Sequence, residues 1–228
     1  MPDHDPSGNR SFFERVRSPM DRRAFLRLLG GAAGTAALAG CGGARILLPG
    51  EEIPGAVASG FLKIHTRAEW GASGGCRSRL NRMDGVRRIT VHHEGGPDGI
   101  WTADPREIAD MLRRIQRFQM AQRRMGDIAY HYIVDRAGRV WEGRPLAWQG
   151  AHVRDNNEHN IGVMVMGNFD LQEPTRTQIL SLERLLRLLH RRHRVPSWRL
   201  HTHRELVASR CPGRNLQPEV ETLRRRLA

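Results

Sequence analysis

Two histidines and one cysteine in this chain are of the types and spacing that can hold a metal ion. His92 lies in the run I-T-V-H-H-E-G-G, while His203 and Cys211 lie in H-T-H-R-E-L-V-A-S-R-C-P-G at 201–213. Two imidazoles and one thiolate would leave the fourth position of a tetrahedral ion open, as in catalytic rather than structural zinc sites. Zinc lowers the pKa of a bound water toward about 7, so amide hydrolysis would need no activated serine.

The same residues also allow a purely structural interpretation. Adjacent histidines in an apolar strand can belong to the core, and a Cys-Pro-Gly sequence can simply form a turn. A disulfide between Cys76 and Cys211 would also remove the third ligand. In either case the chain would have no metal-activated nucleophile.

The spacing of apolar residues predicts the elements that would position these side chains. Predicted strands cover 61–64, 88–93, 130–134, 139–142, 161–166 and 198–201, and predicted helices cover 104–125, 175–193 and 218–227. This order predicts a single α/β domain with a mixed central β-sheet of about five or six strands flanked by helices. His92 would lie at the end of one strand, and a short strand would deliver His203.

The first 40 residues have the features of an export signal. Arg22 and Arg23 precede a small-residue apolar run at 28–40, which is too short for a lasting membrane span and resembles a twin-arginine lipoprotein signal peptide. L-A-G-C at 38–41 resembles a bacterial lipobox, with Cys41 as the lipidated residue. We therefore expect an exported, membrane-anchored lipoprotein in the periplasm or cell envelope.

Composition sets the remaining domain boundaries and the class of partner. Residues 41–60 are rich in Gly, Pro and Ala and predict a flexible tether, followed by one domain at 61–228. The net charge is +13, and the first 40 residues contribute six Arg against four acidic residues, which leaves +11 for the remainder. Such a surplus favours anionic polymers, while export makes nucleic acid an unsuitable partner. We expect a monomer.

Several short sequence segments occur in an order that can be compared with that of a known protein superfamily. They are E-W-G-A at 69–72, I-T-V-H-H at 89–93, D-I-A-Y-H-Y-I-V at 127–134, G-R-V-W-E-G-R at 138–144, G-A-H at 150–152, N-I-G-V at 160–163 and H-R-E-L-V-A-S-R-C-P-G at 203–213. Together they resemble the zinc-dependent N-acetylmuramoyl-L-alanine amidase superfamily, which includes the peptidoglycan recognition proteins and the phage lysozyme-type amidases. The resemblance covers roughly residues 62–226.

The resemblance implies a site and a reaction. Zn²⁺ would bind His92, His203 and Cys211, and zinc-bound water would cleave the amide between N-acetylmuramic acid and L-alanine of peptidoglycan. Tyr130 matches the family's catalytic tyrosine, whose phenol could hold the attacking water or donate to the developing oxyanion. As a strand aromatic, Tyr130 could instead belong to the core.

The chain departs from the family's pattern at three positions. Ser209 stands where the phage branch has lysine and the recognition proteins often have threonine. Because Lys63 is the only lysine, a cationic oxyanion clamp would have to come from Arg210, while Ser209 would be a weaker neutral donor or have only a structural role. Met164 replaces the glutamate base of the cytoplasmic anhydro-muramyl amidases. Glu94 replaces a small hydroxyl residue and could be a base, a partner of a ligand or a loop carboxylate.

Other polar and aromatic residues are candidates for contact with the stem peptide or glycan. The resemblance suggests four groove residues: Trp70, Arg144, His152 and Asn157. His93 and His201 could orient the ligands or could lie on the opposite side of their strands.

Three functions fit these features. The first is a peptidoglycan amidase, and the second is a non-catalytic lipoprotein of the same fold that binds peptidoglycan or muropeptides. The third is an amidase that acts on soluble muropeptides rather than the intact wall. The presence of all three ligand candidates together with Tyr130 favours an enzyme.

Overall fold

A computed structural model describes residues 62–228. The six strands are β1 (Ile64–His65), β2 (Arg88–His93), β3 (Tyr132–Val134), β4 (Val140–Glu142), β5 (Asn160–Val165) and β6 (Leu200–Thr202), and the three α-helices are α1 (Pro105–Ala121), α2 (Arg176–His193) and α3 (Gln217–Leu227). The predicted signal peptide at 1–40, the lipidation site at Cys41 and the tether at 41–60 lie outside the described residues.

The strands form one mixed sheet in the order β1-β4-β3-β5-β2-β6. Only β3 and β4 pair in an antiparallel manner, as the predicted hairpin requires, and the other neighbours are parallel. All six residues of β5 and five of the six residues of β2 are buried. Continuous burial is typical of central parallel strands covered by helices on both faces, so the predicted α/β architecture is confirmed.

Two hydrophobic clusters cover the two faces of the sheet. One cluster contains residues of α2 and α3 together with Ile89 and Val91 of β2. The other contains residues of α1 together with Trp70 and Met164. Because side chains alternate along a strand, residues Thr90 and His92 of β2 face away from the α2 and α3 side.

Two of the three α-helices begin where their capping residues predict. The side chain of Asp104 accepts hydrogen bonds from the backbone N–H groups of Arg106 and Glu107 at the start of α1. Thr175 and Gln178 form a capping box at the start of α2. Helix α1 ends at Ala121 rather than near residue 125, because Arg124 adopts a left-handed φ of 54° that cannot continue a helix.

Several strand boundaries also differ from the sequence expectation: β1 covers Ile64–His65, β4 begins at Val140, and β5 covers Asn160–Val165. Strand β3 begins at Tyr132, so Tyr130 precedes the strand instead of opening it. Strand β6 begins at Leu200, because residues Ser197–Arg199 form a 3₁₀ turn. None of the helices in residues 62–228 is both long and apolar enough to span a bilayer.

Candidate metal centre

Strand β2 delivers the first predicted ligand to the edge of the sheet. His92 is the penultimate residue of β2 and is only 1% exposed. The neighbouring His93 points to the opposite face, where its Nδ1 accepts a hydrogen bond from the backbone N–H of Phe169. The alternation of the strand therefore separates the two histidines, and only His92 faces the other predicted ligands.

The edge strand β6 and the loop that follows it place the second and third predicted ligands. His203 opens a 3₁₀ turn directly after β6, and β6 pairs with β2. The backbone N–H of Thr202 donates to the Glu205 carboxylate at 2.9 Å, which fixes this turn. The backbone N–H of Arg204 donates to the carbonyl of Cys211 at 2.9 Å, so the loop returns Cys211 to the turn.

The three predicted ligands converge. One ligand atom each from His92, His203 and Cys211 lies within 4.8 Å of the other two. His92 Nδ1 lies 3.6 Å from Cys211 Sγ, whereas a tetrahedral zinc with its usual bond lengths separates nitrogen and sulfur ligands by about 3.5 Å. Both cysteines of the described domain, Cys76 and Cys211, are free. The alternative of a disulfide between them is therefore wrong.

The protonation states of these groups fit a zinc site. Burial holds the pKa of His92 well below its ordinary value and lowers the pKa of His203 to about 4, so both imidazoles are neutral at pH 7. Burial raises the pKa of the Cys211 thiol to about 12, although the backbone N–H of His93 donates to Sγ at 3.3 Å. Such a thiol ionises at neutral pH only beside a cation. Neutral imidazoles with a thiolate form a donor set that zinc prefers.

Tyr130 lies beside the predicted ligands. Its ring packs edge-on against His92, with 5.2 Å between the ring centroids. It also contacts the hydrophobic cluster beneath α1. Burial, followed by electrostatic interaction with Cys211 and Glu94, raises the pKa of the phenol far above its ordinary range. The hydroxyl therefore keeps its proton and can act as a hydrogen-bond donor.

Glu94 follows His93 and is partly buried rather than fully solvated. Its carboxylate accepts a hydrogen bond from the backbone N–H of Gly96 at 2.8 Å. Burial nevertheless raises the pKa of this carboxyl to about 7. A group with this pKa can both take up and release a proton near neutral pH.

The two candidates for an oxyanion clamp have other contacts. The Oγ of Ser209 accepts a hydrogen bond from the backbone N–H of Cys211 at 3.1 Å, which shapes the loop beside Sγ. The guanidinium of Arg210 is 78% exposed and lies 3.3 Å from the carboxylate of Asp170. Donation by Ser209 to an oxyanion stays a prediction, while Arg210 is held by an acidic neighbour.

Two of the predicted groove residues are buried structural residues. Trp70 is 0% exposed, and its Nε1 donates to the carbonyl of Glu142 at 2.7 Å. Arg144 is 3% exposed, and its guanidinium donates to the carbonyls of Ile128, Asp127 and Gln149. Trp70 has no accessible surface, whereas Arg144 lines a cavity together with Asn157, and contact of Trp70 and Arg144 with substrate stays a prediction.

The other two predicted groove residues lie next to the metal ligands or beside a cavity. His152 is 7% exposed, and its Nδ1 lies 3.0 Å from Nε2 of His92. The Oδ1 of Asn157 accepts hydrogen bonds from the backbone N–H groups of His152 and Val153. Asn157 also lines a cavity of about 220 Å³, so its contact with substrate stays a prediction. Nδ1 of His201 lies 3.8 Å from the carboxylate of Glu205. His201 is not part of the metal group, which is the name used here for His92, His203 and Cys211.

The sequence is similar to proteins of known families. The family described as N-acetylmuramoyl-L-alanine amidase matches residues 81–214. The chain is 32% identical over 166 residues to peptidoglycan-recognition protein SD of Drosophila simulans, and the match covers 71% of this chain and 86% of that protein. It is 33% identical over 157 residues to N-acetylmuramoyl-L-alanine amidase of Homo sapiens, covering 68% of this chain and 27% of that longer protein.

The fold is also similar to solved structures. The crystal structure of Drosophila peptidoglycan recognition protein SD matches with a TM-score of 0.64 and 28% identity, covering 70% of this chain and 94% of that chain. A complex of tracheal cytotoxin with the ectodomains of recognition proteins LCa and LCx matches with a TM-score of 0.62 and 28% identity, covering 69% and 94%. Because the family match covers more than half of the sequence and the fold agrees, the chain belongs to the superfamily of N-acetylmuramoyl-L-alanine amidases and peptidoglycan recognition proteins.

Proposed function

We propose that this protein is a zinc-dependent amidase that hydrolyses the bond between N-acetylmuramic acid and L-alanine in peptidoglycan. The observation that carries the proposal is the convergence of His92, His203 and Cys211. Within residues 62–228 this group contains three protein ligands, which is the number that leaves a coordination position for water or substrate. Membership of the amidase superfamily supports the same reaction and substrate class.

Each residue near the metal group would have a distinct part in the reaction. His92, His203 and Cys211 would hold a zinc ion, which supplies a water-derived nucleophile at neutral pH and polarises the scissile carbonyl. The Tyr130 hydroxyl, which keeps its proton, would donate a hydrogen bond to the carbonyl oxygen as negative charge develops there. The carboxyl of Glu94, with its pKa of about 7, would accept the proton that the attacking water gives up and would then donate it to the leaving amine.

Binding without cleavage is the second candidate function. The relatives include peptidoglycan-recognition protein SD, and a similar ectodomain complex binds tracheal cytotoxin. These relatives support peptidoglycan or muropeptides as the partner of this chain, whether or not it cleaves them. The complete set of three metal ligands together with Tyr130 favours catalysis over binding alone.

The proposed location follows from the N-terminal sequence. A twin-arginine signal would export the protein, and lipid on Cys41 would anchor it in the membrane of the periplasm or cell envelope. Zinc could bind before export, because twin-arginine systems transport folded proteins. The anchored monomer would then act on wall material within reach of its tether.

Digestion of purified sacculi tests the proposal. The zinc-loaded protein should release stem peptides and leave muramoyl groups without peptide, and a chelator should stop the release. His203→Ala should bind little zinc and release no peptide, because two of three ligands cannot replace the full set. If the zinc-loaded protein binds sacculi but releases no peptide, it is a recognition protein rather than an amidase.

A further inference from the structure

The metal ligand His92 is in contact with a second buried histidine that the proposed reaction does not use. Nε2 of His92 lies 3.0 Å from Nδ1 of His152, and the two ring centroids are 4.9 Å apart with the rings nearly perpendicular. On its other side, His92 presents Nδ1 toward Cys211 Sγ at 3.6 Å. One imidazole nitrogen therefore faces the metal group and the other faces His152.

A backbone carbonyl determines which nitrogen of His152 carries hydrogen. Nε2 of His152 lies 3.2 Å from the carbonyl oxygen of Asn160, the first residue of β5. A carbonyl oxygen can only accept, so Nε2 of His152 must be the donor. In the neutral ring, Nδ1 of His152 then has a lone pair and no hydrogen.

This arrangement fixes the tautomer of His92 in turn. The lone pair on Nδ1 of His152 can only accept, so Nε2 of His92 must donate across the 3.0 Å contact. Nδ1 of His92 is then left without hydrogen, and this is the atom that faces Cys211. We infer that His152 is a positioning residue, which holds His92 in the tautomer that presents a lone pair to the metal.

The surrounding backbone confines the His152 ring to this position. A Cβ atom built on Gly150 would lie 2.3 Å from Cδ2 of His152, and one built on Gly162 would lie 2.5 Å from the same atom. Any side chain at either glycine would therefore displace the ring. The backbone N–H of His152 is also held by the Asn157 side chain at 2.8 Å. The structure thus provides a fitted slot for an imidazole behind the metal ligand.

The inference rests on the proposed function for the identity of the metal, but its tests do not need catalysis. The first test is ¹⁵N NMR of the metal-free protein with labelled histidine, which reports the protonated nitrogen of each ring. We expect His92 and His152 both to carry hydrogen on Nε2. A His92 ring protonated on Nδ1 in the metal-free protein would overturn the inference.

The second test compares three substitutions of His152 by their zinc dissociation constants, measured by competition with a chelator. Asparagine places an acceptor oxygen near the position of Nδ1, whereas glutamine reaches the position of Nε2 and phenylalanine has no polar atom. His152→Gln and His152→Phe should bind zinc about 10- to 100-fold more weakly. His152→Asn should restore part of this loss, because it can accept from His92.

The outcomes separate this inference from the proposed function. Thermal unfolding of each metal-free variant shows whether it folds, and the NMR test on the parent protein remains decisive if one does not. A folded His152→Phe protein with the parent affinity for zinc would overturn the positioning role, even if the enzyme is active. A protein that shows the expected tautomers and zinc affinities but does not digest sacculi would overturn only the amidase proposal.

Discussion

At the scale of single residues, Tyr130 is the group that would separate metal binding from catalysis under the proposed function. Its ring packs against His92, but its hydroxyl is not among the metal ligands. Tyr130→Phe should therefore keep a full zinc content and lose about 10²- to 10³-fold in turnover, the usual cost of removing an oxyanion donor. Metal analysis and turnover of a soluble muropeptide would check this. Unchanged turnover would exclude the hydroxyl from the reaction.

His131 provides a prediction about pH and stability. Its buried ring accepts a hydrogen bond from the Gly162 N–H at Nδ1 and donates from Nε2 to the Trp148 carbonyl. Burial lowers its pKa to about 4, below the unfolded value of about 6.5. The unfolded chain therefore takes up the proton first, and stability is lost as pH falls from about 6.5 to about 4. This difference in pKa corresponds to a loss of about 3 kcal/mol in the free energy of unfolding across that pH range.

The measurement is urea unfolding of the metal-free domain at several pH values between 7 and 4. His131→Gln should be less stable at pH 7, but its stability should change less steeply with pH than that of the parent. The metal-free protein is used because protons also compete with zinc for the ligands. Parallel pH profiles for parent and variant would show that His131 does not cause the loss.

Single residues also show how far the sequence can be interpreted by itself. The candidate metal ligands could be predicted from their residue types and order together with the resemblance to the amidase superfamily, which distinguishes His92 from His93. The complete burial of Trp70 could not be predicted, since an aromatic residue in a turn gives no sign that its ring is buried. The contact of His152 with His92 joins residues 60 positions apart. Gly150, two residues before His152, was the local signal available for this tight packing.

At the scale of elements, β5 connects the core to the candidate metal ligands. Gly162 lies in the middle of this buried strand, where a side chain would meet the ring of His152. Strand β5 was predicted from its continuous apolar run, which is typical of a strand buried on both faces. The need for glycine at 162 could not be predicted, because it depends on which side chain crosses the strand from a distant loop.

Gly162→Ala should weaken zinc binding without removing any ligand. The added Cβ would displace His152 from His92, so we expect about a 10-fold or greater increase in the zinc dissociation constant. Gly74→Ala is the matched control, because a Cβ atom at Gly74 would meet nothing within 4 Å. The control should have the parent's affinity. Equal affinities for the two variants would contradict a fitted slot.

At the scale of the whole molecule, the fold class and the strand count agree with the sequence expectation. The mixed six-stranded sheet could be predicted because the apolar residues of its strands and helices repeat with regular spacing. The ends of strands are predicted less accurately, because tertiary contacts decide where a strand begins. Strand β3, for example, begins at Tyr132, two residues after the predicted start at Tyr130. The organisation of residues 1–60 stays a prediction from sequence.

Membrane attachment is the property that depends on that N-terminal region. Cys41→Ser should release the protein from the membrane fraction, because the substitution removes the site for lipid and the preceding apolar run is too short to span a bilayer. Fractionation of cells that express the parent and the variant would check this. Continued membrane association of Cys41→Ser would contradict lipid anchoring.

The position of the metal group at the junction of β2 and β6 has a mechanical consequence. Strand β6 is an edge strand that pairs with β2 over three residues, and α3 follows it. An ion shared by His92 and Cys211 would join positions 119 residues apart, closing a long loop much as a covalent staple does. Loss of the ion should therefore let the segment from β6 through α3 open more readily than the central strands, so proteases should cleave this segment first when zinc is scarce.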